Sequence, residues 1–247
     1  VFTVSCDNVA DMYSYMLNLS NYEICDDLTA VSWWLAQVPI PYPYREKPDD
    51  QPEWFSFANT NSFTEKEKEA REEIWETVVA EEQKKGTSLK VTEYPEEALR
   101  ARTQLPSQIV GSTKTFCKMA GAGISWPGTF TPANKWAPVY NEWKRILIEH
   151  KLSPSVRMSM YRGVHYGMLR AMIPFGKQNP AENENARRAI VECLKVDLDH
   201  GGMPYKPPVD FGVEINRRAH PGYLELLKRV KQMLDPNDIM NPGKLGI

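Results

Sequence analysis

Hydrophobic positions along the chain switch repeatedly between a period of two and a period near 3.6. Residues 1–6, VFTVSC, are rich in β-branched and aromatic side chains and predict a strand that begins at once. Asp7 or Asn8 can cap a helix through about Leu19, with Val9, Met12, Tyr13, Met16 and Leu17 at helical spacing. LTAVSWWLA, residues 28–36, reads as a second strand, and PIPYPYREKPDDQPE, residues 39–53, as a proline-rich loop that no regular element can occupy. EWFSFANT is the third strand. Thr64 then caps a long helix with Glu67 three residues on, the reciprocal pattern of a capping box. Its face EKEKEAREE is a solvated surface, its buried side is Ile74, Trp75 and Val78, and Gly86 ends it before a fourth strand, SLKVTEY.

The second half repeats this order. MAGAG leads into ISWPGTFTP, KWAPVYNEWKRILIEHKL predicts a helix, and SVRMSM with GVHYGMLRAMI predicts a strand pair. ENENARRAIVECLKVDLDH predicts the next helix, followed by GGMPYKPPVDF, residues 201–211. The expected fold is therefore α+β: two ferredoxin-like β-α-β-β-α-β halves forming a large antiparallel sheet with helices on one side. The expected divisions are residues 1–94 for the first lobe, 95–119 for a connection, 120–209 for the second lobe and 210–247 for a C-terminal helix and tail. That helix, about 220–234, places Tyr223, Leu226, Leu227, Val230 and Leu234 on one face, and Pro236 and Pro242 forbid its continuation.

Composition narrows the function without naming it. The chain has 247 residues, 42% hydrophobic and 25% charged, with a net charge of −2 and no gathered basic tract, so a nucleic-acid partner is not indicated. No apolar run is long enough to span a membrane. Cys6, Cys25, Cys117 and Cys193 are scattered with no CxxC, which argues against a zinc site and suits a reducing, cytoplasmic compartment. GAGISWPG lacks the third glycine and the following helix of a dinucleotide fingerprint, and His150, His165, His200 and His220 each stand alone, so no metal site is expected.

The stretch GGMPYKPPVDF sets Tyr205 and Lys206 among Pro204, Pro207 and Pro208, where a central strand cannot run. Read alone it is a connecting loop with a snorkelling lysine. If the chain bends there, both side chains can serve one cavity.

The C-terminal segment LDPNDIMNPGKLGI resembles the ending of FAD-linked oxidases of the vanillyl-alcohol oxidase / para-cresol methylhydroxylase family. MPYKPPVDF stands where that family carries a tyrosine–arginine pair in its substrate pocket. GVHYGMLRAMIPFGKQNPAENENARRA resembles its strand with a pocket histidine, and ISWPGTFTPANKWAPVYNEWKRILIEHKL its strand and helix beside the flavin edge. The resemblance is clearest over residues 120–247.

It implies a substrate-binding cap packed over a flavin, whose FAD-binding domain would lie N-terminal to this chain. The start at Val1 is read as an excerpt on that ground. The implied activity is hydride transfer to FAD from a small, para-substituted phenolic substrate held as its phenolate. Tyr205 and Lys206 would stabilise the phenolate, with lysine where arginine is usual, and His165 would act as base or orient a water. Trp126, Phe130, Tyr161, Tyr166 and Arg162 would line the substrate site, and Asn241 and Lys244 in the terminal motif would approach the cofactor. Cys117 is the one nucleophile where some relatives tether FAD, so non-covalent FAD is expected, and this chain alone is expected to be inactive. Further partners left open are a second copy of the chain and an electron-acceptor protein. Two rivals stand beside this reading. One is a flavin-dependent 2-hydroxy-acid dehydrogenase, with Arg157, Arg162 or Arg170 on the substrate carboxylate. The other is a non-catalytic ferredoxin-like interaction subunit.

Overall fold

The computed structural model describes residues 1–37, 39–94, 96–97, 122–161 and 165–246. In the first half, β1 (Phe2–Cys6), α1 (Val9–Asn21), β2 (Asp27–Ser32), a one-turn α2 (Trp33–Ala36), β3 (Trp54–Asn59), α3 (Glu65–Lys84) and β4 (Lys90–Val91) follow one another. The second half runs β5 (Ala122–Ser125), β6 (Gly128–Pro132), α4 (Trp136–Glu149), β7 (Val156–Met160), β8 (Tyr166–Ala171), β9 (Ile173–Gly176), α5 (Pro180–Asp199) and β10 (Met203–Pro204). Two helices, α6 (Phe211–Arg218) and α7 (Pro221–Leu234), close the chain.

Eight strands form one sheet in the order β10-β6-β8-β7-β2-β3-β1-β4, every described pairing antiparallel. Within each half the fourth strand lies outside the first and the third sits between first and second, which is the split βαβ arrangement the element order predicts. The halves join where β2 meets β7, Leu28 opposite Met160 through Val31 opposite Arg157. One face of the sheet buries Val4, Cys6, Leu28, Ala30, Trp54, Val156, Met158 and Leu169 against α1, α3, α4 and α5, which contribute Met12, Val78, Trp143 and Cys193 among others. The predicted caps form: Asn8 accepts from the Asp11 amide and Thr64 from the Glu67 amide at 3.1 Å, while Glu67 reaches back to the Phe63 amide at 3.0 Å.

Several boundaries differ from the sequence expectation, each for a local reason. LTAVSWWLA does not stay extended, because a strand would send Trp33 and Trp34 to opposite faces. The helical turn α2 buries both, with Trp34 Nε1 donating to the Arg45 carbonyl at 2.7 Å. Pro127 breaks ISWPGTFTP into β5 and β6, and β5 leaves the large sheet to pair with β9. SLKVTEY contributes only Lys90–Val91, paired to β1 at the edge. The helix α6 carries Gly212 in its first turn, which hides its pattern in the sequence. The predicted apolar face of α7 exists, yet none of its residues is buried. The tail beyond it is tied down by Lys244 Nζ on the Pro207 carbonyl and by Asn216 Nδ2 on the Gly246 carbonyl.

Candidate functional site

The candidate site lies on the sheet face opposite the four long helices, and strand alternation decides what stands on it. In β7, Val156, Met158 and Met160 point into the core, so Arg157 and Ser159 take the other face. In β8, Gly167, Leu169 and Ala171 are the core positions, so Tyr166, Met168 and Arg170 stand opposite. In β6, Thr129 and Thr131 turn toward α5, leaving Gly128 and Phe130 on the open face. Register then sets Val31, Arg157, Arg170 and Gly128 in one row across four strands. Tyr205 extends that row, its amide donating to the Gly128 carbonyl at 3.3 Å. A Cβ at residue 128 would lie 2.5 Å from the Tyr205 hydroxyl, so the tyrosine can occupy this position only over glycine.

Aromatic rings surround this row. Phe130 lies 5.4 Å from Tyr205, 5.6 Å from Tyr166 and 6.2 Å from Tyr161 between ring centres. The Arg170 guanidinium sits 5.4 Å from the Tyr205 ring centre and 5.8 Å from that of Trp126. The structure thus brings together Trp126, Phe130, Tyr161, Tyr166 and Tyr205, five of the expected site residues.

The other expected residues fall elsewhere. Lys206 is exposed and makes no hydrogen bond or ion pair among the described residues. His165 is exposed just before β8 and joins the fold through its backbone carbonyl, which accepts from the Ala133 amide at 3.1 Å. Arg162 and Cys117 lie outside the described residues. Lys244 is spent on the Pro207 carbonyl, and Asn241 turns the tail with φ of 51°.

Arg157 and Arg170 are the residues that spacing alone did not join to Tyr205. The usable signal was one arginine at an outward position in each of two consecutive strands; the missing piece was their register. Directly opposed like charges cost stability, and little here offsets them. Arg157 reaches Thr29 Oγ1 at 3.3 Å and Asp27 at 4.0 Å, while Arg170 has no carboxylate partner among the described residues. Burial lowers the Arg157 pKa, Asp27 opposes that shift, and Arg170 adds to it. Among the described residues, the Nε atoms of both arginines and the Tyr205 hydroxyl are buried with no hydrogen-bond partner of ordinary geometry. Burial raises the Tyr205 pKa, and the neighbouring Arg170 pulls it back. Three orphaned donors under positive charge call for an electron-rich or anionic guest.

Residues 210–245 match the model of the family described as FAD linked oxidases, C-terminal domain. The resemblance to FAD-linked oxidases holds. The chain superposes on p-cresol methylhydroxylase with substrate bound, at 17% identity and a TM-score of 0.72, covering 100% of this chain and 53% of that one. It superposes equally on 4-ethylphenol oxidase from Gulosibacter chungangensis in its isoeugenol complex, at 15% identity, a TM-score of 0.72 and the same coverage. An alkyldihydroxyacetonephosphate synthase follows at 11% identity and a TM-score of 0.54, covering 98% of this chain and 44% of that one. At such identities the likeness is one of fold. No curated protein sequence matches the chain. The chain spans about half the length of the solved structures it matches.

The family implies a flavin cofactor. The orphaned donors of Arg157, Arg170 and Tyr205 match the oxygen- and nitrogen-rich edge of an isoalloxazine as well as a substrate anion. Among the described residues no group of three or more His, Cys, Asp or Glu side chains could hold a metal ion, and no helix is long and apolar enough to cross a membrane.

Proposed function

We propose that this chain is the substrate-binding portion of a flavin-dependent oxidoreductase that oxidises a small, para-substituted phenolic substrate. The observation that carries the reading is Tyr205: half-buried, its hydroxyl unpartnered over Gly128, walled by Phe130 and flanked by Arg170. A bound phenol would receive that hydroxyl as a hydrogen-bond donor, and the nearby positive charge would hold it as the phenolate. Trp126, Phe130, Tyr161 and Tyr166 would seat its ring and exclude water, which strengthens each polar contact. FAD, when bound, would supply the acceptor for a hydride from the benzylic carbon of the substrate's para substituent. Its phosphates would be held by a partner FAD-binding domain, because no phosphate-cradling segment was found in this sequence.

The cation beside Tyr205 in this reading is Arg170, whereas the sequence pattern suggests Lys206. The full-length protein, loaded with FAD, should show its flavin absorbance bleached by 4-ethylphenol or vanillyl alcohol under anaerobic conditions. Tyr205→Phe should lower the bleaching rate about 10²-fold, the scale for one donor to developing negative charge. A flavin-loaded protein that no phenol reduces would refute the reading. A loss in Lys206→Met as large as that in Tyr205→Phe would return the cation's role to Lys206.

A further inference from the structure

On the reading of Tyr205 as the donor to substrate, we infer that Asp197 is its positioning residue: from the helix side of the sheet, the Asp197 carboxylate holds β6 and the turn into β10 so that Tyr205 lies over Gly128. Little else holds Tyr205 there. The strand that delivers it, β10, is two residues long at the sheet edge, with Met203 opposite Phe130 and Pro204 opposite Thr129. Pro204 has no amide to donate, so the Tyr205 amide on the Gly128 carbonyl at 3.3 Å is left to seat the ring.

Asp197 grips both sides of that edge. One oxygen accepts from Thr131 Oγ1 on β6 at 2.7 Å; Thr131 lies 3.0 Å from Thr129 Oγ1, which donates to the Leu169 carbonyl of β8 at 3.3 Å. The Asp197 backbone carbonyl accepts from the Gly202 amide at 2.8 Å, and a Cβ at residue 202 would lie 2.0 Å from Asp197 Oδ2. The carboxylate thus decides where residue 202 can go, and β10 starts at the next residue. Alternation along β6 puts Thr129 and Thr131 on this side and Gly128 and Phe130 on the site side, so one strand serves both. A neutral side chain would fill the position at lower cost. Asp197 is fully buried, and among the described residues its Oδ2 has no partner of ordinary geometry. Burial raises its pKa to about 6, against the pull of Thr131, Thr129 and His200. Among the described residues His200, the cap of α5, and Cys193 are the titratable groups that interact with it. The elements packed on it, β6, β10 and Trp136 with its donation to the Thr131 carbonyl at 3.3 Å, bring no charge. Above pH 6 an unsolvated anion therefore faces Gly202, which loosens the turn.

The test follows flavin bleaching by 4-ethylphenol in the FAD-loaded full-length protein from pH 5 to 7.5. The wild-type rate should fall at least about threefold as pH passes 6, a fraction of the linkage that the raised pKa allows. Asp197→Asn keeps the acceptor for Thr131 and stays neutral, so it should hold the low-pH rate throughout. Thr131→Val removes a donor that pulls the pKa down, so the fall should move to higher pH. Asp197→Ala frees the turn and should slow bleaching about tenfold at pH 5, the cost of a misplaced group. A carboxylate that only supports the fold would change stability and none of these profiles. An Asp197→Ala rate equal to wild type, or one pH profile shared by wild type and Asp197→Asn, would overturn the inference. If no phenol reduces the wild-type flavin, the oxidation reading fails, and amide exchange over residues 201–206 decides the positioning on its own. Protection that drops above pH 6 in wild type but not in Asp197→Asn, after correction for intrinsic exchange, sustains the clamp; equal protection in both at every pH sinks it.

Discussion

Glu82 and Asp197 occupy the same place in the two halves: each is fully buried, two residues before the end of the 20-residue helix that precedes the last strand of its lobe. Each lends its backbone carbonyl to the turn that follows, Glu82 to the Thr87 amide and Asp197 to the Gly202 amide. Their carboxylates meet opposite fates. Burial pushes Glu82 up, but donors from Lys85 and Ser14 at 2.6 Å and Asn18 at 3.0 Å outweigh it and hold the carboxyl below its usual range. Asp197 accepts from Thr131 at 2.7 Å on one oxygen, while the other is buried with no partner of ordinary geometry among the described residues; burial outweighs the pull of Thr131, Thr129 and His200 and raises its pKa to about 6. One scaffold position thus gives an anchored charge in one lobe and a poorly solvated one in the other. Position in a repeat fixes burial; the number of donors fixes the charge.

The open faces diverge in the same way. In the first half Val31 packs with Leu35, Ile40, Phe55 and Phe57, joined by Ile124 and Met172, into a small apolar core. In the second half the same sheet face carries Arg157, Arg170 and Tyr205, whose two Nε atoms and hydroxyl are buried with no hydrogen-bond partner of ordinary geometry among the described residues. The first lobe finishes its packing, and the second keeps unmet hydrogen-bonding capacity where a guest can use it.

The largest effect expected from this contrast is a pH response of opposite sign in the two lobes. Asp197 binds its proton more tightly folded than unfolded, so its ionisation destabilises the fold as pH rises from about 4 to about 6. The full penalty, at most about 3 kcal/mol, is in force above that window. Glu82 is depressed in the fold, so its stabilisation is present above its unfolded pKa and is lost as pH falls through the lowered folded value. Asp197→Asn should flatten the pH 4–6 decline in urea-unfolding free energy and be at least as stable as wild type at pH 7. A variant that keeps the decline would assign it to another group.

Next in size is the close approach at Gly202. A Cβ there would lie 2.0 Å from Asp197 Oδ2, inside a buried carboxylate that cannot swing away. Gly202→Ala should cost about 1–3 kcal/mol, the range for overpacking. Most of that should vanish in the Asp197→Ala background, so the pair should be strongly non-additive. Thr87, the first-lobe counterpart, faces no such carboxylate and donates to the Glu82 carbonyl at 2.9 Å. Thr87→Ala should therefore cost only about 0.5–1.5 kcal/mol, one hydrogen bond.

The fold was legible in the sequence, and the candidate cluster only in part. Helical spacing from Val9 to Leu17, the Thr64–Glu67 cap and the repeated element order were enough for two split βαβ units, because these signals are local. Trp33–Ala36 was misread because β-branched and aromatic composition marks burial as much as extension. The aromatic residues that the structure brings together were named through family resemblance, and alternation in VRMSM and YGMLRA already puts one arginine of each strand outward. What places Arg157 opposite Arg170, and both beside Tyr205, is strand register between segments of distant sequence. No local pattern encodes that when one face is left uncovered. Lys206 shows the converse: adjacency to Tyr205 in sequence did not bring it into the cluster.

The smallest effect is an expected equality. Gly86 follows the Lys85 cap of α3 and Gly201 the His200 cap of α5, with φ of 83° and 85°. Both turn the chain through the left-handed region that an L side chain enters at a cost of about 1–2 kcal/mol. Neither site is crowded: a Cβ at Gly86 meets nothing within 4 Å, and one at Gly201 meets Pro132 Cγ at an ordinary 3.6 Å. Backbone strain is then the whole penalty, and it should be the same twice. Gly86→Ala and Gly201→Ala should shift the urea midpoint by equal free energies, within about 0.5 kcal/mol, at unchanged m. A much larger loss at Gly201 would mean that its turn also holds Tyr205 in place and that the two lobes' helix ends are not equivalent. Flavin bleaching by 4-ethylphenol in the FAD-loaded full-length variants separates those causes, since a strained turn alone leaves it intact in both.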